Sequence, residues 1–98
     1  MQRGGCVYIL TNDDRHTVLY TGVTSNLTVR MYQHKTKAFP GSFTAKYNCG
    51  KLVYYCFYPT IQDAISAEKQ IKAGSREDKI ELINAMNPDW LDLSDVLF

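Results

Sequence analysis

The chain has 98 residues, 45% of them hydrophobic and 12% aromatic, and a formal net charge of +1. That length points to one domain with one modest core, and so even a balance excludes a nucleic-acid binder built on bulk positive charge alone. Three widely spaced cysteines, Cys6, Cys49 and Cys56, exclude a disulfide framework and a paired zinc motif, and suggest a reduced, cytoplasmic setting.

The charge is unevenly spread. Residues 1–51 carry seven Lys and Arg against two Asp, whereas residues 52–98 carry four against eight Asp and Glu. Such a polarised surface offers a basic side to an anionic partner. The apolar start, Met1 to Leu10, meets Asn12 at once and is too short for a signal peptide. The longest apolar run, Leu52–Tyr58, is strand-length and cannot span a bilayer, so no membrane association is expected.

In chain order, Cys6–Thr11 is β-branched and aromatic and reads as a strand. The turn chemistry of residues 12–16 joins it to a second strand, Thr17–Thr21, and Gly22 ends this hairpin. Ser25 or Asn26 then caps a helix to about Lys35, with Leu27, Met31 and His34 at helical spacing. Residues 36–50 read as a long loop, a class often functional in small domains. Leu52–Tyr58 is the third strand. Thr60 with Asp63 signals the next helix, running to Ala73 and stopped by Gly74. Ser75 with Asp78 forms a capping box for a helix to Met86, which Asn87-Pro88 breaks. The tail packs through Trp90, Leu91 and Leu93. The expected class is α+β: a small three-stranded sheet containing antiparallel strands and flanked by helices, in the order β-β-α-β-α-α.

The helix after the third strand carries the most informative residue. Ile61, Ala64, Ile65 and Ile71 form its apolar stripe, and Glu68 falls on that stripe. A carboxylate facing a core is costly unless it is paired or binds a metal. The plainer alternative is an ion pair with Lys72 at i+4. On the first helix Arg30 and His34 are i, i+4 neighbours. A guanidinium can grip a phosphate and a histidine can move protons near neutral pH, although a surface Arg and a partly buried His explain the pair alone more simply. Tyr8 and Tyr20 stand on the two hairpin strands and can share one sheet face. Tyr47 lies among Lys35, Lys37, Lys46 and Lys51. Any of these phenols can also be packing, as Tyr54, Tyr55 and Tyr58 are taken to be.

Cys6-Val7-Tyr8 followed by Tyr20-Thr21-Gly22, eleven residues beyond Ile9, resembles the paired tripeptides of the GIY-YIG nuclease superfamily. An Arg on the next helix, a His one turn later and a Glu on the helix after the third strand complete the pattern. Leu19 to Thr24, Ala45-Lys46-Tyr47 and Asn87-Pro88-Asp89-Trp90 look like its small stand-alone bacterial members, and the resemblance covers nearly the whole chain. It implies a single nuclease domain over residues 1–98 that hydrolyses phosphodiester bonds in nucleic acid, taken as DNA, with structure-directed or low sequence specificity, as in repair and recombination. It also implies one Mg²⁺ or Mn²⁺ on Glu68. Tyr8, Tyr20, Arg30, His34 and Glu68 match the catalytic positions, with Tyr8 as candidate general base and Tyr20 or His34 as alternatives. Gly22, Lys37, Lys46, Tyr47 and Lys51 would contact nucleic acid, and a partner protein would supply targeting. Two positions depart from the pattern. Cys6 stands where glycine is usual, and Val23 follows Gly22 where many members have Lys. The alternative is a catalytically weak or inactive nucleic-acid-binding module on the same scaffold; a plain protein-interaction domain is a third reading.

Overall fold

A computed structural model describes residues 4–12 and 15–97, the side chains of residues 96 and 97 excepted. The centre of the expected hairpin turn, residues 13 and 14, lies outside that set. Three strands form one antiparallel sheet in the order β2-β1-β3: β1 Gly5–Thr11, β2 Leu19–Thr24 and β3 Lys51–Tyr58. β1 is the middle strand and is buried along its whole length, as its unbroken apolar sequence requires.

The helices start where local chemistry dictates. In α1, Leu27–Lys35, the Asn26 side chain accepts from the Val29 amide. Thr60 does the same for α3, Ile61–Ala73, through the Asp63 amide, and Ser75 with Asp78 closes a full capping box on α4, Arg76–Met86. Two short helices add to the expected order. α2, Phe43–Lys46, is capped by Ser42 inside the stretch expected to be a loop, and α5 spans Ser94–Leu97. Gly22 does not end β2 but lies within it, opposite Tyr8.

Alternation along β1 sorts the core into two layers. Cys6, Tyr8 and Leu10 join Leu27 and Met31 of α1, Cys49 and Leu52 on one face of the sheet. Burial there pushes the Cys6 thiol up to about 12, so it packs as a neutral hydrophobe. Ile9 joins Val53, Ile83 of α4, Ile71 of α3 and Trp90 on the other face. Gly5 belongs to that second layer, because a Cβ there would meet Ala64 and Ile61. α1 and α3 thus cover opposite faces of the sheet. In the tail Trp90 and Leu93 pack as expected, but Leu91 is exposed. Asp92 anchors the tail. It accepts from Lys35, from the Leu52 amide and from the backbone and hydroxyl of Ser94. Burial alone would raise its pKa, but these donors together outweigh that and hold it below the usual carboxylate value.

Candidate active site

The β1–β2 register sets Tyr8 opposite Gly22 and Leu10 opposite Tyr20, so Tyr8, Tyr20 and Gly22 share the face covered by α1. A Cβ at Gly22 would lie 2.5 Å from Cζ and Oη of Tyr8. The glycine is therefore there to let the phenol cross the neighbouring strand. Tyr8 runs beneath Tyr20, with ring centroids 6.5 Å apart, and its hydroxyl ends 3.1 Å from His34 Nε2 on α1.

His34 is held at both nitrogens, since its Nδ1 lies 2.9 Å from Thr44 Oγ1 at the buried start of α2. Ser42 Oγ, the cap of α2, is 3.3 Å from the same Thr44 hydroxyl. Burial, and then the Arg30 charge, lower the His34 pKa to about 4, so the ring is neutral near pH 7. Burial also raises Tyr8 above the ordinary phenol value, and the Arg30 guanidinium only partly offsets that. A Tyr8 that keeps its proton donates to Nε2, which leaves the Nδ1–H to donate to Thr44.

These facts change the balance between the expected bases. Tyr8 is fully buried and disfavours its phenolate, and both His34 nitrogens are engaged. Tyr20 is only half-buried. It stacks on Phe43 at 5.9 Å, meets His34 edge-on at 6.1 Å, and lines a hollow of about 150 Å³ together with Arg30, His34 and Lys37.

Glu68 stands on α3, on the other side of the sheet. Its side chain is 13% exposed and pairs with Lys72 Nζ at 3.0 Å, the i+4 partner that the spacing allows. Ile65 does not belong to the buried stripe and is exposed. The stripe is Ile61, Ala64, Glu68 and Ile71, spaced three, four and three. Among the described residues no group of three or more His, Cys, Asp and Glu comes together.

The GIY-YIG catalytic domain model matches residues 4–81. The chain belongs to the GIY-YIG family. A UPF0213 protein of Syntrophus aciditrophicus is 34% identical over 83 residues, covering 85% of this chain and 92% of that protein. A UPF0213 protein of Clostridium perfringens is 40% identical over 83 residues, covering 81% and 82% respectively. No solved structure matches. The GIY-YIG domain is a nuclease domain, which makes nucleic acid its substrate and divalent metal its usual requirement.

The donor set suits that requirement. A single carboxylate fits a hard ion that keeps most of its waters, such as Mg²⁺ or Mn²⁺, and does not fit the closed nitrogen and sulfur sites of zinc. Val23, at the usual Lys position, is half-buried on the same face of the sheet as Glu68. The basic residues divide. Lys37 borders the Tyr20 hollow, while Tyr47 and Lys46 are exposed on α2 and just beyond it, the ammonium 5.6 Å from the phenol ring. Lys51 lies apart, its Nζ donating to His16 Nε2 at 2.9 Å while His16 stacks on Trp90. Sequence reasoning missed Thr44, Ser42 and Phe43. Their only local signal was a Ser followed by helix-compatible residues in a stretch otherwise rich in Gly and Asn. Among the described residues no helix is long and apolar enough to cross a membrane.

Proposed function

We propose that this chain is a cytoplasmic, Mg²⁺- or Mn²⁺-dependent endonuclease that cuts phosphodiester bonds in DNA. The reading takes residues 1–98 as one catalytic domain, with low sequence specificity and a role in repair or recombination, a partner protein supplying any targeting. The observation that carries it is the hollow lined by Tyr20, Arg30, His34 and Thr44, in which His34 is bonded to Thr44 and, behind it, to the buried Tyr8 hydroxyl. Tyr20 takes the proton of the attacking water. Arg30 lines the same hollow. The Arg30 guanidinium donates to the non-bridging phosphoryl oxygens as charge builds on them. Tyr8 and His34 fix the shape of the wall and transfer no proton to substrate. Glu68 would hold the divalent ion, which when bound neutralises charge on the phosphoryl and leaving oxygens. Gly22, Lys37, Lys46, Tyr47 and Lys51 would contact the nucleic acid, the lysines through its phosphates.

One observation favours a second reading, an inactive nucleic-acid-binding module: Lys72 already neutralises Glu68. Cleavage by Glu68→Ala separates the two. An i, i+4 pair adds only about 0.3–0.5 kcal/mol, so the variant folds, and the nuclease reading expects its metal-dependent cutting to vanish. A variant that cuts like the parent removes Glu68 from the mechanism. A parent that shows salt-sensitive binding and no nicking establishes the module.

A further inference from the structure

A second hollow adjoins the first and is larger, about 600 Å³. His34, Thr44 and Lys37 border both, so one wall separates the two spaces. Around the larger hollow stand Arg15, Lys35 and Lys37, and its described lining includes no Asp or Glu. Lys35 is committed, bonded to Asp92 at 2.7 Å and to the Gly50 carbonyl. Lys37 is not neutralised, since its Nζ donates to the uncharged Asn48 side chain at 2.7 Å. Arg15 is exposed and makes no hydrogen bond or ion pair among the described residues. Among the described residues, therefore, two cations without a counter-charge border one polar cavity, next to the place where a phosphodiester would be cut. Tyr47, half-exposed and packed on Phe43 at 4.7 Å, offers an aromatic edge between the two spaces.

We propose that this second hollow receives the phosphodiester next to the scissile one on the same strand, with Arg15 and Lys37 pairing its oxygens. The inference rests on the nuclease reading for the position of the scissile group. The charge and shape of the hollow stand independently of it. An exposed guanidinium is suited to a two-pronged grip on phosphate, and a contact of this kind positions the strand without reading its bases. The strand then passes over the His34–Thr44 wall, which would give that wall a second use as a ridge between neighbouring nucleotides.

Binding without turnover, measured by fluorescence anisotropy with Ca²⁺ in place of Mg²⁺, provides the test. Parent and Arg15→Ala are compared on a labelled dinucleotide with one phosphodiester and on longer oligonucleotides. Because Arg15 is exposed and loses no partner among the described residues, the variant keeps its fold. We expect a severalfold loss of affinity that appears only once a second phosphodiester is present. We also expect a slope of log K against log salt flatter by about one, and partial recovery in Arg15→Lys. Equal binding by parent and variant on the long oligonucleotide overturns the proposal, and so does an equal loss on the dinucleotide. Inorganic phosphate that competes as well as the oligonucleotide also overturns it, because the hollow would then be a free-phosphate site. A parent that shows the length-dependent effect yet never cuts in Mg²⁺ removes the nuclease reading and leaves the charged hollow standing.

Discussion

The two faces of the sheet divide the candidate site unequally. On the α1 face the parts are assembled and interlocked. Tyr8 reaches His34, His34 reaches Thr44, and Gly22 leaves room for the phenol to make the crossing. On the α3 face Glu68 is placed but engaged, its carboxylate held by the half-exposed Lys72. The difference follows from what each half asks of the fold. A wall of neutral hydrogen-bonding groups can be buried once every donor finds an acceptor. A lone carboxylate beside a core needs a counter-charge until a metal supplies one. On the proposed reading Lys72 stands in for the metal on the α3 face, and an i, i+4 ion pair is one that a divalent ion can displace.

The largest effect that sharpens this contrast is expected at Arg30. Arg30→Ala should lower turnover by roughly two or more orders of magnitude, the scale of a lost transition-state donor, while metal affinity at Glu68 stays as in the parent. Single-turnover rates with a separate metal titration measure both quantities, and an unchanged rate would take Arg30 out of the chemistry. Next is Gly22→Ala, which drives a methyl group into the Tyr8 ring. Overpacking of this kind costs about 1–3 kcal/mol, and the Tyr8–His34 bond should be lost with it. Urea unfolding reads the cost, and the His34 imidazole NMR signals read the bond. A variant as stable as the parent would mean that the glycine is not the space Tyr8 needs. The smallest effect belongs to the α3 face, where the buried hydroxyl of Thr21 finds no hydrogen-bond partner among the described residues. Thr21→Val keeps the shape and removes the unmet polar group, so stability should rise by about 1 kcal/mol. A loss of stability instead would show that the hydroxyl is satisfied in solution.

How much of this was legible in the sequence depends on how local each feature is. Asn26, Thr60 and the Ser75–Asp78 box mark the helix starts because a cap is satisfied within three residues of itself. The three strands were visible as β-branched and aromatic runs, and the shared face of Tyr8 and Tyr20 followed from alternation in a hairpin. Ile65 was misplaced because residues adjacent in a helix point about 100° apart, so Ala64 and Ile65 cannot both face the sheet. Gly22 was read as a strand end, whereas its reason lies on the neighbouring strand. Thr44 bonds a histidine ten residues away, and Asp92 bonds Lys35 across 57 residues. No spacing rule reaches partners at that range. Nor does sequence show that Tyr8 is too deeply buried to ionise readily, because depth is a property of the packed core.

The proposed nuclease depends on a divalent ion held by the Glu68 carboxylate of α3. Mn²⁺ titrated into isotope-labelled protein tests it most directly, because the paramagnetic ion broadens the NMR signals of nearby amides. Broadening is expected around Glu68 and along β2 near Gly22, and it should disappear in Glu68→Gln. Broadening that is absent, or that survives that substitution, would contradict it.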